Sequence, residues 1–179
     1  MDFPANVTAV AFTLGLLWLM WSLQGKLTTH GLEFLNWDPV SRAWIAMALF
    51  AGMTAGLIAA CAFHGYGRGG SPAFTEVWLA ITIGPLFEEL VFRGYLFWAV
   101  GTLVQRLAPS LSPLTTIWVA ALFSLAHAPK PGITDTQLAA IFGTGLLYGL
   151  LRQRSGSTLP PVIAHMVFNA VIYLAAVLF

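Results

Sequence analysis

Residues 73–100 read AFTEVWLAITIGPLFEELVFRGYLFWAV, an apolar run that carries Glu88, Glu89 and Arg93 in its second half. An α-helical membrane span needs roughly 17–25 predominantly apolar residues, and this run exceeds that. An ionisable side chain at membrane depth is costly unless it is paired or hydrated, so each of the three needs a reason to be there. Pro85 predicts a kink, because proline removes a backbone hydrogen bond and its ring meets the preceding turn. A break near Gly101, with an interfacial piece around Leu96–Leu107, is the alternative shape for the far end.

Five more segments of similar character flank it, at about 6–24, 43–63, 112–128, 137–152 and 158–179. The composition agrees: 58% of the 179 residues are hydrophobic, 8% are charged, and the mean hydropathy is +0.80. A soluble domain carries about 25% charged residues, and one of this size could not hide so large an apolar surplus. The expected fold is all-α, a polytopic transmembrane bundle of about six spans in the lipid bilayer. Residues 1–72 supply two N-terminal helices and residues 73–179 a core of about four. The apolar run near the N-terminus has no Lys or Arg before it and reads as a retained span, not a cleaved leader.

Net charge +1 without a basic cluster gives no sign of nucleic-acid binding. The single cysteine, Cys61, excludes an intrachain disulfide and a thiolate zinc cluster. Gly52 with Gly56, and Gly145 with Gly149, have the small-xxx-small spacing of close helix packing. These pairs would also permit self-association, and the oligomeric state is left open. Loop cations set orientation. Lys26, Arg42, Arg106, Arg152 and Arg154 fall on one side against Arg68 and Lys130 on the other, which places loops one, three and five in the cytoplasm.

Two helical spacings organise the buried polar residues. Glu89 and Arg93 stand at i, i+4 with the acid first, the favourable order for an ion pair. Glu88 is turned about 100° away and is either free for chemistry or a further member of a structural charge cluster. His165 and Asn169 share one face of the last span, and His127 ends the fourth. At 1.5 Å per residue, Glu88 lies roughly 22 Å from the outer face, with His165 about 10 Å and Asn169 about 16 Å from the cytoplasmic one. Those levels agree, whereas His127, about 21 Å along its own span, meets them only if the fourth helix starts below the interface or is strongly tilted.

The motifs Glu88-Glu89-x-x-x-Arg93, Phe123-x-x-x-His127 and His165-x-x-x-Asn169, in that order, resemble the CPBP family of membrane proteases. That family includes the CAAX prenyl endopeptidases and the bacterial Abi-type, bacteriocin-processing enzymes. The likeness runs from about Thr75 to Ile172 and takes in the stretches Phe142–Arg152 and Gly156–Pro161. It implies an intramembrane endopeptidase of a bacterial inner membrane, acting without a cofactor on a membrane-associated peptide or protein. Glu88 would activate a water and His127 assist it. His165 and Asn169 would stabilise the oxyanion, while Glu89 and Arg93 support the motif helix. Two other readings use the same residues: a zinc enzyme with Glu88, His127 and His165 as ligands, and a membrane immunity, scaffold or proton-relay protein with a paired-charge core.

Overall fold

The computed structural model describes residues 3–22, 36–37, 40–63 and 73–178. Lys26 and Arg68, two of the cations used for orientation, lie outside the described residues. Helix α1 spans Phe3–Ser22, α2 Arg42–Ala62, α3 Phe74–Ile81, α4 Ile83–Glu89, α5 Phe97–Leu107, α6 Thr115–His127, α7 Asp135–Ser155 and α8 Leu159–Leu178. A π-helical segment, Leu90–Leu96, joins α4 to α5, and a 3₁₀ segment, Pro109–Leu114, leads into α6. The described residues form an all-α bundle with no strand.

Arg42–Ala62, Pro109–His127 and Leu159–Leu178 are each long and apolar enough to cross a membrane. The fifth apolar segment forms a longer helix than its sequence limits suggested, α7. It takes in Asp135 and Gln137 at one end and Arg152 and Arg154 in its last turn. These charges match the helix dipole, with the acid at the N-terminus and the cations at the C-terminus. Thr134 and Gln137 form a capping box at its start, and Gly156 ends it in the left-handed conformation at φ 72°. Pro160 and Pro161 then open α8, where their missing N–H groups fall in a first turn that has no intrahelical partner for them.

The bundle buries ionisable side chains among its apolar core residues and carries large apolar side chains on its outer surface. Phe50, Ile58, Trp118, Leu125 and Val177 are among the exposed large hydrophobics, while Glu89, Arg93 and His165 are buried. Water would drive the opposite arrangement. Lipid permits it, since the hydrocarbon already solvates apolar side chains and polar groups must find partners within the protein.

Small residues set the helix contacts. On α2, a Cβ added at Gly52 would run into the Ala164 carbonyl of α8, and one at Gly56 would stand 2.8 Å from the Val171 Cβ. On α7, a Cβ at Gly149 would lie 2.6 Å from Thr116 Cγ2, and one at Gly145 3.2 Å from the Ala120 Cβ. Both small-xxx-small pairs are thus places where neighbouring helices approach within reach of the backbone. Helix α1 is joined to α3 by the Trp78 indole N–H, which donates to Thr13 Oγ1 at 2.9 Å. Part of the first connection is also tied down: Asn36 Nδ2 donates to the Gly156 carbonyl and the Thr158 N–H donates to the Asn36 carbonyl.

The third apolar segment departs furthest from a straight span. It breaks at Thr82, where φ and ψ are −113° and −69°. The cause is Pro85, three residues on, which cannot donate to the Ile81 carbonyl and crowds it. Beyond the break the chain stays helical through Gly101 to Leu107, so the alternative break near Gly101 does not occur. Gly101 packs under Thr115 and the helix passes through it.

Candidate active site

The break and the π segment bracket Glu88 and Glu89. Successive residues on a helix point about 100° apart, and here the difference is complete: the Glu88 side chain is 35% exposed and that of Glu89 0%. Glu88 opens onto a cavity of about 210 Å³ walled by α4, α6, α7 and α8. His127, His165 and Asn169 line the same cavity, together with Tyr148, Phe123 and Lys130. A liquid-water volume is about 30 Å³, so there is room for several waters or for a peptide unit with one.

Both imidazoles approach the same carboxylate oxygen. Glu88 Oε2 is 3.8 Å from His127 Nε2 and 4.0 Å from His165 Nε2. Each ring is held from behind through Nδ1. His127 Nδ1 lies 2.8 Å from the Phe123 carbonyl, and His165 Nδ1 lies 2.9 Å from Glu89 Oε1. A carbonyl and a carboxylate can only accept, so each contact puts the proton on Nδ1. In the neutral rings Nε2 therefore carries a lone pair and faces Glu88 and the cavity.

Glu89 is the centre of the buried charge. Its Oε1 accepts from Arg93 Nη1 at 3.1 Å as well as from His165. The predicted i, i+4 ion pair is present and fully buried on both sides. Arg93 Nη2 donates to the Gly145 carbonyl at 2.9 Å, and the guanidinium lies 4.3 Å from the centre of the Phe123 ring. One arginine thus joins α4 to α6 and α7. Asn169 donates through Nδ2 to the Ala80 carbonyl at 2.8 Å, which ties α8 to the turn just before the break at Thr82.

The structure brings together all six residues singled out from the sequence. His127, which straight spans placed at the wrong level, has its Nε2 3.8 Å from Glu88 Oε2; the third segment breaks at Thr82, and α6 ends at His127 itself. Three contacts were not legible in the sequence. Glu89 anchors His165 as well as Arg93. Arg152 Nε, assigned to a loop, donates to the Arg93 carbonyl at 3.0 Å from within α7. Where π bonding returns to α spacing a carbonyl is left over, and this is one an arginine can cap. Tyr148 stacks on His165 with ring centres 4.9 Å apart, and nothing about a tyrosine in an apolar helix marks it beforehand.

Metal binding would ask for a tighter arrangement. Ligand atoms bonded at 2.0–2.2 Å around a tetrahedral zinc stand about 3.3–3.5 Å from one another. Among the described residues no group of three His, Cys, Asp or Glu has the spacing to hold a metal ion.

An all-helical membrane bundle in which a carboxylate and two oriented imidazoles share one small cavity has the parts of an intramembrane hydrolase. The sequence model of the type II CAAX prenyl endopeptidase Rce1-like family matches residues 70–171, more than half the chain, and the protein belongs to that family, part of the CPBP membrane proteases. No curated protein matches the chain. No solved structure matches it either.

Proposed function

We propose that this protein is an intramembrane endopeptidase in which Glu88 activates a water for attack on a peptide carbonyl. The observation that carries this reading is the convergence at Glu88 Oε2 of two Nε2 atoms, each fixed in its tautomer by a partner behind the ring. A water between Glu88 and His127 Nε2 gives its proton to the carboxylate while its oxygen bonds to the carbonyl carbon. The C–N bond then breaks, and the proton held by Glu88 passes to the leaving nitrogen. Asn169 keeps one amide N–H free beside the Ala80 bond and offers it to the oxyanion. His165 can join it only when both ring nitrogens carry protons, since its Nδ1–H is given to Glu89. Glu89 and Arg93 hold this set in place.

The substrate class is a membrane-associated peptide or protein, with CAAX-like, bacteriocin-leader and C-terminal sorting-signal sequences as the candidates and a bacterial inner membrane as the setting. A second reading has one observation in its favour: Nε2 facing the site with Nδ1 bonded behind it is also how metal-ligating histidines are oriented. One experiment separates the readings. Purified protein is incubated with membrane-anchored peptides in excess chelator, beside the near-isosteric Glu88→Gln variant. Cleavage that survives chelation and disappears in the variant supports the glutamate mechanism. Chelator-sensitive cleavage restored by zinc supports a metal enzyme. A cellular phenotype unchanged in Glu88→Gln removes catalysis and leaves a scaffold.

A further inference from the structure

We propose that Lys130 makes the cavity a carboxylate receptor: its ammonium binds a carboxylate that the substrate carries close to the cleaved bond, at a free C-terminus or on an Asp or Glu side chain. The inference rests on the peptidase reading above and narrows its substrates to peptides with an anion beside that bond. The charges around the cavity start the argument. Glu88 brings an anion, His127 and His165 have their Nδ1–H groups bonded to Phe123 and Glu89, and Tyr148, Thr144 and Asn169 are neutral. Lys130 is the one permanently cationic side chain among the described residues that line it. Arg93, the cation behind Glu89, is fully buried and engaged by Glu89 and the Gly145 carbonyl.

Lys130 is fixed at its backbone and free at its tip. It follows α6 in the run His127-Ala128-Pro129-Lys130-Pro131-Gly132. Pro129 has a locked φ, and Pro131 restricts the conformations open to Lys130 itself. The Lys130 N–H donates to the His127 carbonyl at 3.0 Å, and its carbonyl accepts from the Ile133 N–H at 3.3 Å. Gly132 completes the turn at φ 77°, a left-handed value that glycine adopts without strain. The root of the lysine is thus tied to the residue that ends α6. Its ammonium forms no ion pair and no hydrogen bond among the described residues, Glu88 included. A loop lysine that served only solubility or orientation would need neither a fixed root nor a place in the cavity wall. An ammonium on a flexible stem meets a carboxylate as a point charge, so it suits either source of that group. A substrate carboxylate entering beside Glu88 meets like-charge repulsion, and Lys130 supplies the opposite charge that offsets it. With about 210 Å³ in the cavity, an anion that reaches Lys130 lies close to the bond that reaches Glu88.

Cleavage of four membrane-anchored peptides by purified protein in an uncharged detergent tests this, with the cleaved bond mapped by mass spectrometry. The first peptide ends just beyond that bond in a free carboxylate, and the second is its C-terminal amide. The third and fourth run on past that point and carry Asp or Asn there. Wild type should cleave at least one acidic peptide about fivefold or more faster, in kcat/KM, than its neutral partner, the scale of an ion pair that is open to water. Preference for the first over the second identifies a chain end, and for the third over the fourth a side chain. Lys130→Met should abolish the preference while cleaving the neutral peptides within about twofold of wild type, and Lys130→Arg should keep it. A wild type without preference in either pair overturns the inference, as does a preference that survives Lys130→Met. An equal fall on all four peptides overturns it too, since Lys130 would then be acting through Glu88 or the fold. The two readings fail separately. No cleavage by the wild type, or cleavage that persists in Glu88→Gln, refutes the glutamate-peptidase reading and this inference with it. Cleavage that Glu88→Gln abolishes, combined with any of the three overturning patterns, refutes only the role of Lys130.

Discussion

Replacing Arg93 by methionine probes the charge network that holds the site. The guanidinium is fully buried, donates to Glu89 Oε1 at 3.1 Å and to the Gly145 carbonyl at 2.9 Å, and packs against the Phe123 ring at 4.3 Å. Methionine fills much of the same volume but restores none of these contacts. The Glu89 carboxylate would be left at 0% exposure with His165 as its remaining partner, and the Gly145 carbonyl would lose its guanidinium donor. Breaking a buried pair by removing one partner costs about 3–5 kcal/mol, because the surviving charge is uncompensated. That is a shift of roughly two to three and a half powers of ten in the folding equilibrium. Unfolding in mixed micelles, followed by loss of helicity against denaturing detergent, measures it for wild type and variant. Arg93→Lys should fall between them, since a single ammonium keeps the charge but cannot reproduce the fork that reaches Glu89 and Gly145 together. A destabilisation of Arg93→Met below about 1 kcal/mol, the range of exposed pairs, would refute the view that this ion pair holds α4, α6 and α7 together.

Glu89→Gln should lower peptide cleavage by about ten- to a hundredfold even though Glu88 is untouched, because the His165 ring loses the carboxylate that orients it. Initial rates on the same substrate check this, and a variant as active as wild type would deny Glu89 any positioning role. At the α6–α7 contact, Gly149→Ala would bring a methyl to 2.6 Å from Thr116 Cγ2 and should destabilise the bundle by about 1–3 kcal/mol. Adding Thr116→Ser removes that methyl, keeps the hydroxyl that donates to Gln153, and should recover most of the loss in the same unfolding assay.

The sequence by itself determined the membrane class, the kink in the third segment, the small-residue packing faces and the polar residues that the structure brings together. Each of these is a local or compositional signal. Apolar length reads directly as a helix in lipid, proline acts on its own turn, and glycines four apart share a face. Charges are conspicuous where there are few of them, so Glu88, Glu89, Arg93, His127 and His165 stood out from an apolar background. The pairing of Glu89 with Arg93 was legible for the same reason, since both partners lie on one helical turn.

What tertiary structure decided was which partners meet across helices. Depth counted along straight spans set His127 apart from Glu88, yet in the folded bundle Nε2 stands 3.8 Å from Oε2. His165 turns Nδ1 towards Glu89 across 76 positions of sequence, and Arg152 reaches the Arg93 carbonyl across 59. Tyr148 enters the site by stacking, with no charge to announce it. Helix periodicity fixes the face a residue occupies on its own helix. The rotation, tilt and depth of one helix against the next come from packing over the whole bundle, and these contacts form only once that packing is complete.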